Sequence, residues 1–105
     1  MACKHLALAG LAVAAGFSLP AWSQVIDLNL GRNLAASCAT CHGTNGSSAG
    51  GLPSLAGQSR PALVLALREF REGKRVATVM HQISKGYSDE QLEFIAAFFA
   101  NQKVK

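Results

Sequence analysis

CATCHGTNG, Cys38–Gly46, places two cysteines three positions apart and a histidine directly after the second. Packing a hydrophobic core requires neither that cysteine spacing nor a histidine there. The segment therefore reads as a chemical site, and the redox compartment decides which chemistry it can support.

The compartment is read from the start of the chain. Met1-Ala2-Cys3-Lys4-His5 precedes the uncharged run LALAGLAVAAGFSL, Leu6–Leu19, and then Pro20-Ala21-Trp22-Ser23. A short basic start, an apolar centre and a small-x-small ending make a secretory signal peptide over residues 1–23, with Gln24 as the first mature residue. The alternative is an uncleaved anchor, but a membrane-spanning helix needs about 20 apolar residues and this run is shorter. Cys3 leaves with the signal. The mature chain, residues 24–105, is one small domain, whose core needs a staple, a metal or a cofactor. Of 10 Lys and Arg against 6 Asp and Glu, only Lys4 lies in the signal, so a mild basic excess survives. It does not point to nucleic acid. It suits a weakly basic docking patch, with Arg68, Arg71, Lys74 and Arg75 as its densest part.

Working outward from the motif, the periodicity predicts four helical stretches and no strand. The first starts at Asp27 as N-cap and runs into the motif. Leu30, Leu34, Cys38 and Cys41 fall on one apolar face, which His42 joins before Gly43 stops the helix. Residues 43–57, GTNGSSAGGLPSLAG, form a long loop, the kind that wraps a partner. A second helix starts at Ser59, tolerates Pro61 in its first turn, buries Leu63, Leu67 and Phe70, and ends at Gly73. A short segment, Ala77–Lys85, carries Met80 and closes at Gly86. Ser88-Asp89-Glu90-Gln91 is a capping box that opens the last helix. That helix has two apolar stripes, Leu92–Ile95–Ala96–Phe99 and Phe94–Phe98. The first helix is expected to cover one, and something other than the polypeptide the second.

Cys-x-x-Cys-His is the attachment signature of c-type haem. Two thiols at this spacing on a helix reach the two vinyl groups along one porphyrin edge. Ala39 and Thr40 are small enough to admit the ring, and His42 lies under it with Nε2 toward iron. Export fits, because attachment takes place outside the cytoplasm. A zinc site built from Cys38, Cys41, His42 and His81 requires adjacent ligands at Cys41 and His42, which is poor zinc spacing. A dithiol redox site is expected beside a βαβ pattern, which is missing here. A plain disulfide across so short a loop removes little chain entropy and leaves His42 unexplained.

Met80 is the only methionine besides Met1, and its soft neutral thioether suits the second axial position on iron. Its rival His81 is adjacent, and helix neighbours point about 100° apart, so both cannot face one iron. A haem would be the missing core and the partner of the Phe94–Phe98 stripe. One haem c, held by Cys38, Cys41, His42 and Met80, is the expected cofactor.

With these residues in place, the chain resembles class I c-type cytochromes from Gly31 to Gln102. Gly31 and Phe98 match the family's glycine–aromatic crossing of the first and last helices. PSLAGQ, Pro53–Gln58, resembles the loop of short bacterial cytochromes. VATVMHQISKGYSDEQLEFIAAFF, Val76–Phe99, is similar to the haem domain of the cytochrome subunits of flavocytochrome c sulfide dehydrogenases. The resemblance implies an all-α fold of four short helices and a Gly-rich loop around one covalent haem. It also implies periplasmic electron transfer, with a flavin-containing sulfide dehydrogenase subunit as donor. A free monohaem shuttle to an oxidase or reductase is the alternative, and a ligand-binding haem protein requires a loosely held Met80. Two departures stand out. The family's Gly-Pro after the motif, whose carbonyl orients the proximal histidine, is replaced near that place by Gly50-Gly51, with Pro53 further on. The dehydrogenase subunits are also commonly dihaem, whereas this chain has one motif.

Overall fold

The computed structural model describes residues 9–18 and 27–105. The expected cleavage after Ser23 lies outside the described residues. Residues 9–18 are exposed and in neither helix nor strand. Among the described residues no helix is long and apolar enough to cross a membrane.

Five α-helices and no strand make up the rest: α1 (Leu28–Ala35), α2 (Ala39–His42), α3 (Arg60–Arg71), α4 (Met80–Lys85) and α5 (Asp89–Ala100). Helices α1 and α2 form one helical stretch interrupted by a 3-10 turn at Ala36–Cys38, so four stretches stand where four were expected. The starts follow local side-chain chemistry. Asp27 accepts from the Asn29 amide at 2.8 Å, and Ser59 from the Ala62 amide at 3.3 Å. At Ser88 both arms of the capping box close, Gln91 N to Ser88 Oγ at 3.2 Å and Ser88 N to Gln91 Oε1 at 2.9 Å. Helix α4 begins at Met80 instead of Ala77. Val79 at its N-cap carries no capping oxygen, so the helix cannot start on a side-chain bond.

The broadest helix contact is α1 against α5, followed by α3 against both α4 and α5. Gly31 makes the first possible. A Cβ there would stand 2.6 Å from the Phe94 carbonyl oxygen and 3.2 Å from Phe98 Cβ, so only hydrogen fits. The buried stripe of the first stretch runs through Gly31, Ala35, Cys38 and His42, not through Leu30 and Cys41. Leu30 is 41% exposed. Periodicity misplaced Leu30 and Cys41 but held for Cys38, His42 and Leu34, which packs against the core. The Gly31 crossing sets which face meets α5.

Polypeptide covers the first stripe of α5 and only part of the second. Leu92, Ile95, Ala96 and Phe99 are buried, and so is Phe98. Phe94 is half-buried, its backbone against Gly31. The polypeptide itself covers Phe98, because Gly31 lets α1 come close, whereas Phe94 is only partly covered. The Phe98 and Phe99 rings meet edge-to-face at 5.2 Å.

The loop after the motif is not structureless. Gly46 has φ +79, and a Cβ there would lie 2.7 Å from the Phe99 ring. Its carbonyl accepts from Leu55 N at 2.7 Å and Ala56 N at 3.1 Å, closing the loop at its neck. Gly57 N then donates to the Phe99 carbonyl at 3.0 Å. These bonds tie the loop to the end of α5 and fix where its inner limb passes His42.

Candidate functional site

His42 is the last residue of α2 and is buried. Its Nδ1 lies 2.6 Å from the Pro53 carbonyl oxygen. A carbonyl can only accept, so Nδ1 carries the proton and Nε2 keeps its lone pair. The orienting acceptor left open by the sequence is therefore the Pro53 carbonyl, not one in the Gly50-Gly51 stretch. The bonds from Leu55 N and Ala56 N to the Gly46 carbonyl bring the limb after Pro53 back to the motif, with Leu55 half-buried and Ala56 buried. Ser48 N to Ser54 Oγ at 2.9 Å braces the same turn.

Cys38 and Cys41 are both free thiols, the first half-buried and the second exposed. Burial pushes the Cys38 thiol up, against a hydrogen bond from Ser37 that pulls it down. At neutral pH Cys38 is therefore a neutral thiol. His81 is half-buried beside Met80, and the described residues hold no cluster of three or more metal-ligating side chains. That set does not support the zinc alternative.

Met80 is the first residue of α4 and is half-buried. Val79 and Ile83, on the same side of that short helix, are 52% and 39% exposed, apolar surface without a protein partner. Helix α4 packs on α3, and α2 is not among its broad contacts. His42 and Met80 thus sit on two separate walls.

These features suit a porphyrin. A histidine oriented through Nδ1, two unpaired thiols on the adjoining turns and a soft thioether on an uncovered apolar wall form a haem c donor set. A groove of about 430 Å³ elsewhere does not. It lies between α3 and α5, is lined by Arg60, Val64, Leu65, Arg68 and Glu93, and contains none of the four candidate residues.

Tyr87 was missed by the sequence reading. Its hydroxyl lies 3.1 Å from Ser37 Oγ and donates to the Leu34 carbonyl at 3.4 Å, joining the α4–α5 link to the stretch before Cys38. The expected basic patch is also changed. Arg68 pairs with Glu93 at 3.5 Å and Asp89 at 3.7 Å, and Arg71 pairs with Asp89. Lys74 pairs with Glu72 at 2.8 Å and Arg75 with Glu69 at 2.6 Å. All four cations already have carboxylate partners within the chain, so no open basic patch remains there.

The Cytochrome c family profile matches residues 28–103. The chain is 38% identical over 96 residues to the cytochrome subunit of sulfide dehydrogenase from Chlorobaculum tepidum, covering 91% of this chain and 86% of that one. It is 39% identical over 100 residues to cytochrome c4 of Pseudomonas aeruginosa, covering 94% of this chain and 45% of that one. Reduced cytochrome c4 from Pseudomonas stutzeri superposes with TM-score 0.71 at 32% identity, over 77% of this chain and 48% of that one. The chain thus spans about half the length of the cytochrome c4 relatives. Family match, fold and the Cys38–His42 motif agree: this chain belongs to the cytochrome c family, as an electron-transfer protein with covalently attached haem c.

Proposed function

We propose that Cys38 and Cys41 hold the haem as thioethers, that His42 Nε2 and the Met80 thioether are its axial ligands, and that the exported chain is the electron-accepting cytochrome subunit of a sulfide-oxidising flavoprotein. The observation that carries the ligand assignment is the 2.6 Å contact between His42 Nδ1 and the Pro53 carbonyl. It fixes the tautomer and turns the free Nε2 lone pair away from the loop. The bound haem supplies one-electron chemistry at iron. The chain holds both axial positions, so no coordination site is left for a substrate. A methionine ligand favours the reduced state relative to a second histidine.

The subunit reading draws on the similarity to the C. tepidum cytochrome subunit, which extends over 86% of that protein. A match of that breadth answers the concern that such subunits are commonly dihaem. The internal pairing of Arg68, Arg71, Lys74 and Arg75 supports it too. A shuttle docks transiently through a small, salt-sensitive patch, and these four cations do not offer one. The periplasmic assignment rests on the pattern of residues 1–23.

Native purification tests the proposal. Co-elution with a flavin-containing protein, and haem reduction by sulfide only in its presence, are the expected results. Isolation as a free monomer indifferent to sulfide overturns the subunit reading. It favours instead a free carrier, the reading supported by the similarity to half of cytochrome c4.

A further inference from the structure

We propose that Tyr87 is a positioning residue whose hydroxyl holds the wall bearing Met80 against the haem-attachment segment. The inference rests on the Met80 ligation proposed above and adds a residue that neither the motif nor the family match assigns.

The two axial ligands come from separate walls, so something must fix the gap between them. On the His42 side the Pro53 carbonyl and the Gly46 neck do so. On the Met80 side support is sparse. Helix α4 has six residues, no capping side chain at Val79, and α3 as its one broad helix contact. A helix this short does not hold its own position. Tyr87 stands two residues beyond its end. Tyr87 is half-buried and packs against the hydrophobic core cluster. Its hydroxyl reaches across the fold to Ser37 Oγ at 3.1 Å and the Leu34 carbonyl at 3.4 Å.

The far end of this bridge is the attachment segment itself. Ser37 directly precedes Cys38 in the chain. In an unbroken α-helix the Leu34 carbonyl would accept from the Cys38 amide. The 3-10 turn at Ala36–Cys38 falls at that point. The anchor for Tyr87 thus lies at this interruption. At its other end Tyr87 is fixed by Arg71, which donates to the Tyr87 carbonyl at 3.4 Å and pairs with Asp89. One residue thereby links α3, the α4–α5 turn and the stretch that carries the thioethers.

An external ligand reaches ferric iron only when Met80 leaves it, so imidazole capture reads how tightly the Met80 wall is held. The test uses the exported, haem-loaded protein and follows loss of the far-red methionine–ferric band on adding imidazole. Tyr87→Phe keeps the ring and removes the hydroxyl. It should speed capture by roughly threefold to tenfold, the worth of one hydrogen bond. Ser37→Ala should act in the same direction. Glu93→Gln loosens the ion pairs to Arg60 and Arg68 without touching Tyr87 and should leave capture unchanged. Wild-type capture rates in both Tyr87→Phe and Ser37→Ala overturn the proposal, as does an equal acceleration in Glu93→Gln. A band missing from the unsubstituted protein overturns Met80 ligation and the inference with it. A band present with unchanged capture overturns the inference alone.

Discussion

The segment around His42 and the segment around Met80 do the same job by opposite means. His42 ends a helical stretch anchored on α5 by the Gly31 crossing, is buried, and has one ring nitrogen committed to a carbonyl eleven residues away. The loop that brings this carbonyl is closed at Gly46 and pinned to Phe99. Met80 opens a six-residue helix with exposed apolar neighbours and no cap. The polypeptide builds one wall of the site by itself and leaves the other short of partners. On the proposed ligand set, a cofactor attached covalently to the first wall would complete the second through the Met80 thioether. The stiff side sets the haem's place and the looser side sets its iron chemistry.

The contrast breaks most completely if the stiff side loses its attachment. Cys38→Ala with Cys41→Ala should abolish covalent haem, read as loss of haem staining after denaturation and loss of one haem from the intact mass. Retention of a covalent haem would show that the motif is not the anchor. Next comes the looser side. Met80→Ala should keep the covalent haem, remove the far-red band and lower the reduction potential, while His81→Ala should retain the band. The reverse pattern assigns the ligand to His81.

A smaller effect is expected where the stiff wall is braced. Gly46→Ala puts a Cβ at φ +79 and 2.7 Å from the Phe99 ring. It should cost about 1–3 kcal/mol of unfolding free energy by denaturant titration and hasten exchange of the His42 Nδ1 proton. An unchanged stability would mean that the loop neck yields freely. The smallest effect concerns Asp89, an exposed carboxylate near Tyr87. Its hydrogen bond to Arg71 holds it below its ordinary value of 3.8. A depressed folded-state pKa contributes stability above the unfolded value and loses it as pH falls through the folded one. Asp89→Asn should therefore lower the melting temperature slightly at pH 7. The gap from the unsubstituted protein should close as pH falls below 3.8. A gap that persists in acid would assign the loss to something other than this charge.

How much of this was legible depends on the range of the interaction. Asp27, Ser59, Ser88 and Gln91 were readable as caps because each bonds an amide two or three residues away. Gly31 and Phe98 were readable through family resemblance, and the structure gives the reason, a carbonyl 2.6 Å from where a side chain would begin. Leu30 and Cys41 were wrongly placed on the buried face of the first helix, because apolar periodicity cannot see that Gly31, which has no side chain, is the residue that meets α5. The basic patch was misread, because composition counts charges without showing that Glu69, Glu72, Asp89 and Glu93 lie against them.

The sequence by itself determined the haem chemistry, the helical class and the ends of the helices. Thiol spacing, capping oxygens and glycine stops act over a few residues and leave a local signature. The tertiary structure decided which carbonyl orients His42, how Tyr87 ties the Met80 wall to the motif, and which cations remain open to a partner. A main-chain carbonyl is the same at every residue, so Pro53 carried no mark of its role until the Gly46 neck folded it onto His42. Tyr87 lies 50 residues from Ser37, and charge pairing between α3 and α5 likewise spans separate elements. Only the packing of those elements brings such groups within hydrogen-bonding distance.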